Sequence, residues 1–126
     1  MKVNLSDGEW KLMKLLWEDS PRTIAQLVDA LANDTGWKKN AVFVMLRRLE
    51  AKGAVAVDAS GRSQLYSPLV RREDATLEET ESFLDRVWDG SVSLLITSLA
   101  GQKRLSDEDI AVLKKLVDDA ERGQEK

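Results

Sequence analysis

Apolar residues recur at helical spacing along most of this chain, and near its middle two short β-like runs break the pattern. Ser6-Asp7-Gly8-Glu9 has the capping-box pattern, in which the Ser6 hydroxyl accepts from the third helical N–H and Glu9 reaches back to the cap. It predicts a first helix to about residue 18, with Lys11, Lys14 and Glu18 on a narrow polar stripe and Trp10, Met13, Leu16 and Trp17 on a broad apolar face. Ser20-Pro21 ends that helix. Thr23 caps a second, which runs to about residue 33 and whose Ile24, Leu27, Val28 and Leu31 keep the i, i+3, i+4, i+7 spacing.

After Asp34-Thr35-Gly36 the pattern predicts a third helix over residues 38–52. At about 100° per residue, Val42, Met45, Leu46 and Leu49 form its core-facing stripe, while Asn40, Phe43, Val44 and Arg47 fall on the opposite face. Phe43 and Val44 are out of place on a simple amphipathic helix. Gly53 follows as the left-handed residue beyond the helix end. Strands are predicted over 54–58 and 63–67, joined by Ala59-Ser60-Gly61-Arg62 as a hairpin with a basic tip, and Pro68 closes the second. The order α-α-α-β-β, with a short turn between the second and third helices, is that of a winged helix-turn-helix.

From residue 70 the chain turns helical and acidic to about residue 88, with Leu77, Leu84, Val87 and Trp88 on one side, until Asp89-Gly90 interrupts it. A short helix over 91–100 follows, with Val92, Leu94, Leu95, Ile96 and Leu99 distributed nearly all round. One neighbour cannot cover such a helix, which predicts burial in a larger assembly. The last helix opens on Ser106-Asp107-Glu108-Asp109, with acids in its first turn, and carries Ile110, Leu113 and Val117.

Composition narrows the chemistry. The 126 residues, 43% of them hydrophobic, suit one domain, or one domain with an appendage, able to bury a core. With no cysteine and no histidine, thiolate and imidazole chemistry are excluded, and with them most familiar nucleophiles, general bases and metal sites; neither enzyme activity nor a cofactor is expected. Glu78, Glu79 and Glu81, like Asp107, Glu108 and Asp109, diverge around their helices and read as solvated faces. The longest apolar stretch, 92–100, is interrupted by Ser93, Thr97 and Ser98 and is far shorter than the roughly 20 residues of a membrane span. Without an apolar signal core near residue 1, a cytoplasmic location and no membrane insertion are expected. The net charge of −3 conceals a division: residues 1–72 sum to +4, residues 73–126 to −7, and residues 35–72 alone to +6. A basic block ahead of an acidic one suggests a polyanion-binding half joined to a half with another task.

A helix of about 15 residues spans roughly 22 Å, long enough for its first half to lie in a major groove while Lys52 and the hairpin reach flanking phosphates. Lys38, Lys39 and Asn40 stand at its start, and Phe43, Val44, Arg47 and Arg48 follow. Arginine can read guanine bidentately, asparagine adenine, and Phe43 or Val44 can pack on thymine methyls. Arg62 at the hairpin tip suits a backbone contact. Phe43 packing on the second helix or the hairpin is the alternative, as is a protein-interaction module in which Phe43 and Val44 dock a partner without direct DNA readout.

These segments, SDGEWKLMKLLWE, TIAQLVDALANDTGWKKNAVFVMLRRLEAKGAV, GRSQLYSPLV and ETESFLDRVWDGSVSLLITSLA, resemble the BlaI/MecI/CopY family of penicillinase-type transcriptional repressors from Leu5 to about Asp118. The resemblance implies a mainly α fold, with a winged helix over residues 1–70 that binds an inverted-repeat operator and a three-helix region over 71–126 that makes a homodimer. It places recognition on residues 38–48 with Arg62 in the wing, and the dimer interface on Leu84, Trp88, Val92, Leu95, Ile96, Leu99, Ile110, Leu113 and Val117. It also implies an inducing partner, in one branch a membrane sensor protease that cuts an Asn-Phe bond. The chain departs from the pattern in three places. Lys38, Lys39, Asn40 and Ala41 replace a Ser-Pro-Lys-Thr start to the recognition helix, Ser98-Leu99 stands at the scissile bond, and the C-terminal cysteine cluster of the copper-responsive branch is absent.

Overall fold

A computed structural model describes residues 4–124 as six helices and one two-stranded antiparallel sheet. It divides into two compact units, one ending at Thr80 and the other beginning at Glu81, so the division falls inside a helix.

In the first unit α1 (Asp7–Glu18) opens on the expected capping box: the Glu9 N–H donates to Ser6 Oγ at 3.3 Å and the Ser6 N–H to Glu9 Oε1 at 2.8 Å. Thr23 and Gln26 cap α2 (Ile24–Ala30) in the same reciprocal way. This helix is shorter than predicted; hydrogen bonds from Asp34 and Gly36 N–H to the Leu31 carbonyl turn the chain there. α3 (Lys39–Ala51) buries Val42, Leu46 and Leu49 completely. Gly53 follows it at φ 78°, a conformation that a Cβ disfavours.

The wing is β1 (Val55–Asp58) paired with β2 (Leu65–Pro68), with Val55 opposite Pro68 and Asp58 opposite Leu65. The second strand is shifted from its predicted place, and Pro68 lies in it rather than after it, which an edge strand tolerates. Arg22 adds a pairing absent from the predicted order: its N–H and carbonyl exchange hydrogen bonds with Tyr66 at 3.0 and 2.8 Å, docking the α1–α2 connection on β2.

The core of this unit joins Leu12, Met13 and Leu16 of α1, Leu27 and Leu31 at α2, the buried stripe of α3, and Ala54, Val55 and Tyr66 of the wing. Of the predicted apolar face of α1, Met13 and Leu16 are fully buried while Trp10 and Trp17, with Trp37, pack at the margin, and Leu12 joins the buried set. The Trp17 indole N–H donates to the Val70 carbonyl at 2.9 Å.

α4 (Arg72–Trp88) spans the division; α5 (Val92–Gly101) and α6 (Asp107–Gln124) complete the second unit. Ser91 caps α5 through the Leu94 N–H, and Ser106 and Asp109 cap α6 reciprocally. Hydrogen bonds from Ser106 also hold the Asp109 carboxyl below its ordinary range.

Candidate nucleic-acid interface

The full burial of Val42, Leu46 and Leu49 decides which side of α3 is left to solvent. Lys38, Lys39, Asn40, Ala41, Val44, Arg47 and Arg48 are all exposed on it. Lys38 is the N-cap residue, and its side chain makes no capping hydrogen bond. The first turn therefore presents backbone donors beside two ammonium groups, an arrangement that costs the helix a few tenths of a kcal/mol and favours an anion nearby.

Phe43 is half-buried, not fully outward as the helical wheel placed it. The Arg47 guanidinium carbon lies 5.8 Å from its ring centroid, within cation–π range, and Arg47 Nε is 3.9 Å from Glu50 Oε1. Val44 is 48% exposed, so of the two misplaced apolar residues it is the one open to a thymine methyl.

Across from the start of α3 lies the wing. A cleft of about 520 Å³ is lined by Thr23, Ile24, Ala25, Lys39, Asn40, Phe43, Arg62, Ser63 and Gln64. It brings Lys39, Asn40 and Phe43 of α3 together with Arg62 of the wing turn, and no carboxylate is among its described lining residues. Thr23, Ser63 and Gln64 were not singled out in the sequence, where Thr23 reads as a cap and the other two as ordinary strand residues. The tip is organised by Asp58, whose Oδ1 accepts from the Ser60 N–H at 3.0 Å and from the Ser60 hydroxyl at 2.6 Å; these bonds hold its carboxyl below the ordinary range. Beneath it, the buried Tyr66 hydroxyl donates to Gln64 Oε1 at 2.9 Å. Burial pushes that hydroxyl's pKa up, the Glu50 charge adds to the rise and Arg47 opposes it.

One expected contact is corrected. Lys52 does not reach outward for a phosphate; its ammonium donates to Glu9 Oε1 at 2.5 Å and to the Asn4 carbonyl at 2.7 Å. A buried carboxylate holds it more strongly than a screened surface charge would.

The second unit has a different character: among its described residues none is buried. Leu84, Trp88, Leu95, Ile96, Leu99 and Leu113 are half-covered, and Val92, Ile110 and Val117 are exposed. Leu94, Val112 and Leu116 widen this apolar surface beyond the predicted set, and the Trp88 indole N–H finds no acceptor among the described residues. Among the described residues no cluster of His, Cys, Asp or Glu could hold a metal ion, and no helix is long and apolar enough to cross a membrane.

Residues 5–119 match the family model of the penicillinase repressor. The penicillinase repressor of Bacillus licheniformis is 27% identical over 115 residues, covering 91% of this chain and 90% of that protein. The methicillin resistance regulatory protein MecI of Staphylococcus aureus (strain N315) is 20% identical over 113 residues, covering 90% and 92%. Among solved structures, the DNA-binding domain of the repressor BlaI in solution covers 59% of this chain and 93% of its own, with 30% identity and a TM-score of 0.52.

Proposed function

The chain belongs to the penicillinase repressor family, and from that premise we propose that it is a DNA-binding transcriptional repressor that occupies an inverted-repeat operator as a homodimer. Residues 1–70 bind DNA and residues 71–126 hold the two copies together. The observation that carries the DNA half is the exposed basic face of α3, beside a wing-bounded cleft with no carboxylate among its described lining residues. In this reading α3 enters the major groove, where Arg47 and Asn40 address base edges and Val44 a thymine methyl. Lys38, Lys39, Arg48 and Arg62 neutralise backbone phosphates.

A partner-docking role for α3 would use Phe43 and Val44 as a joint apolar patch, but Phe43 is half-covered with Arg47 over its ring. The dimer half rests on the second unit, from Glu81 on, which has no buried residue among those described. An inducer, a membrane sensor protease or another signal carrier, releases the operator in the cytoplasm. The bond at the position of the family's scissile one, Ser98-Leu99, lies inside α5, so a protease would have to open that helix first.

Selection of bound duplexes from a random pool by the purified full chain tests the reading. Enrichment of a two-fold symmetric sequence is the expected result; retention of no duplex at modest salt would refute it.

A further inference from the structure

Glu50 is the one acidic residue of α3, and it stands on a flank otherwise occupied by Lys39, Phe43 and Arg47. Helix energetics do not account for it. A carboxylate in the last turn opposes the helix dipole, and an acid placed after its basic partner is the less favourable order for such pairs. Its side chain is 47% exposed, so no buried network requires it either.

Geometry gives it another role. Glu50 Oε1 lies 3.9 Å from Arg47 Nε, while the Arg47 guanidinium lies over the Phe43 ring at 5.8 Å. The Phe43 face and the Glu50 carboxylate thus bear on one guanidinium from two sides. Both charges also act on the Tyr66 hydroxyl, in opposite senses.

We infer that Glu50 is a specificity-determining residue acting through Arg47: with Phe43 it presets the guanidinium, and its charge weakens binding to any duplex that offers Arg47 no bidentate acceptor. This rests on the DNA-binding reading above. A guanine edge that engages Arg47 through two hydrogen bonds returns the cost of bringing the carboxylate near DNA. A mismatched duplex gains nothing from the preset guanidinium and still meets the carboxylate's charge. Discrimination then arises partly from a repulsive group, as specificity commonly does. Phe43 in this account is a positioning residue, not a direct reader.

The test compares the full chain with Glu50→Gln, Phe43→Leu and Arg47→Ala, and with the Arg47→Ala/Glu50→Gln double variant. The probes are a duplex selected by the wild-type protein and a scrambled duplex of the same composition, titrated by fluorescence anisotropy at two salt concentrations. Glu50→Gln is expected to tighten binding to the scrambled duplex more than to the selected one, lowering their affinity ratio by about five-fold or more, the low end of what one bidentate pair discriminates. Phe43→Leu lowers the ratio by weakening the selected duplex alone. In the Arg47→Ala background Glu50→Gln leaves the ratio unchanged. Equal tightening on both duplexes, or a ratio that still moves without Arg47, overturns the inference while leaving the DNA reading intact. Failure of the wild-type chain to bind any duplex removes both.

Discussion

Glu9 is buried to 1% exposure, and its ion pair with Lys52 joins the start of α1 to the end of α3. Burial by itself raises the pKa of this carboxyl; the hydrogen bonds from Lys52 and Ser6, with the Lys52 charge, outweigh that and hold it below the ordinary value. A group whose folded pKa is depressed contributes stability above its unfolded pKa, and that contribution is lost as pH falls through the folded value. Urea unfolding should therefore show stability declining below about pH 4.5, with Glu9→Gln flattening that part of the profile. Lys52→Met leaves the buried carboxylate without its cation and should cost about 3 kcal/mol at pH 7, the low end for a broken buried pair because Lys52 is itself one-third exposed. The pairing was not legible in the sequence. Glu9 and Lys52 are 43 positions apart, each has a sufficient local explanation as capping partner or helix-end cation, and only the packing of α1 on α3 excludes water between them. Phe43 was misplaced for a related reason: a helical wheel gives an angle but not what stands there. At the same scale, Arg47→Ala should cost about 1–3 kcal/mol on the preferred operator and relax its base preference, whereas Lys39→Ala should weaken all duplexes alike and flatten the salt slope by about 0.9. Titrations on selected and scrambled duplexes across a salt series separate base reading from charge; identical behaviour of the two variants would contradict their assigned roles.

Helices capped by their own neighbours are the elements the sequence exposed best. Ser6, Thr23 and Ser106 each accept the expected backbone hydrogen bond, because a cap is a local event within three residues, and Ser91 caps α5 in the same way without having been singled out. The wing was harder to place. Its second strand overlaps the predicted span but begins two residues later, and it also pairs with Arg22, which lies before α2 and carries no strand signal of its own. α3 departs from the capping rule in an informative way, since Lys38 occupies the N-cap with no side-chain bond. Replacing it by serine should stabilise the fold by about 1 kcal/mol, read as a higher denaturation midpoint, while weakening binding to every duplex through the lost charge. Proteins commonly leave stability unrealised at a working surface. A Lys38→Ser variant no more stable than wild type and unchanged in affinity would show that the position serves neither purpose.

At the scale of the whole chain, the change of charge sign near residue 72 and the all-round apolarity of residues 91–100 suggest two tasks, whereas the compact units divide at Thr80 and Glu81. The sequence did not show how far the second unit lacks a core of its own, because periodicity marks a face as apolar without saying what covers it. A unit from Glu81 on with no buried residue among those described cannot offset its chain entropy alone. Each large aliphatic side chain that a second copy covered fully would contribute about 1.5–3 kcal/mol. Leu95 on α5 and Leu113 on α6 are half-covered already, leaving their remaining surface for a second copy. Leu95→Asp should then yield a monomer by light scattering at micromolar concentration. The proposed DNA-binding face is untouched by that change, so affinity for a single half-site duplex should match wild type, and affinity for the full inverted repeat should fall by about 10²–10⁴-fold as the linkage between half-sites is lost. Measuring both duplexes distinguishes loss of dimerisation from loss of folding, since an unfolded chain loses the half-site as well. A variant that stays dimeric with full operator affinity would place the interface elsewhere on the chain.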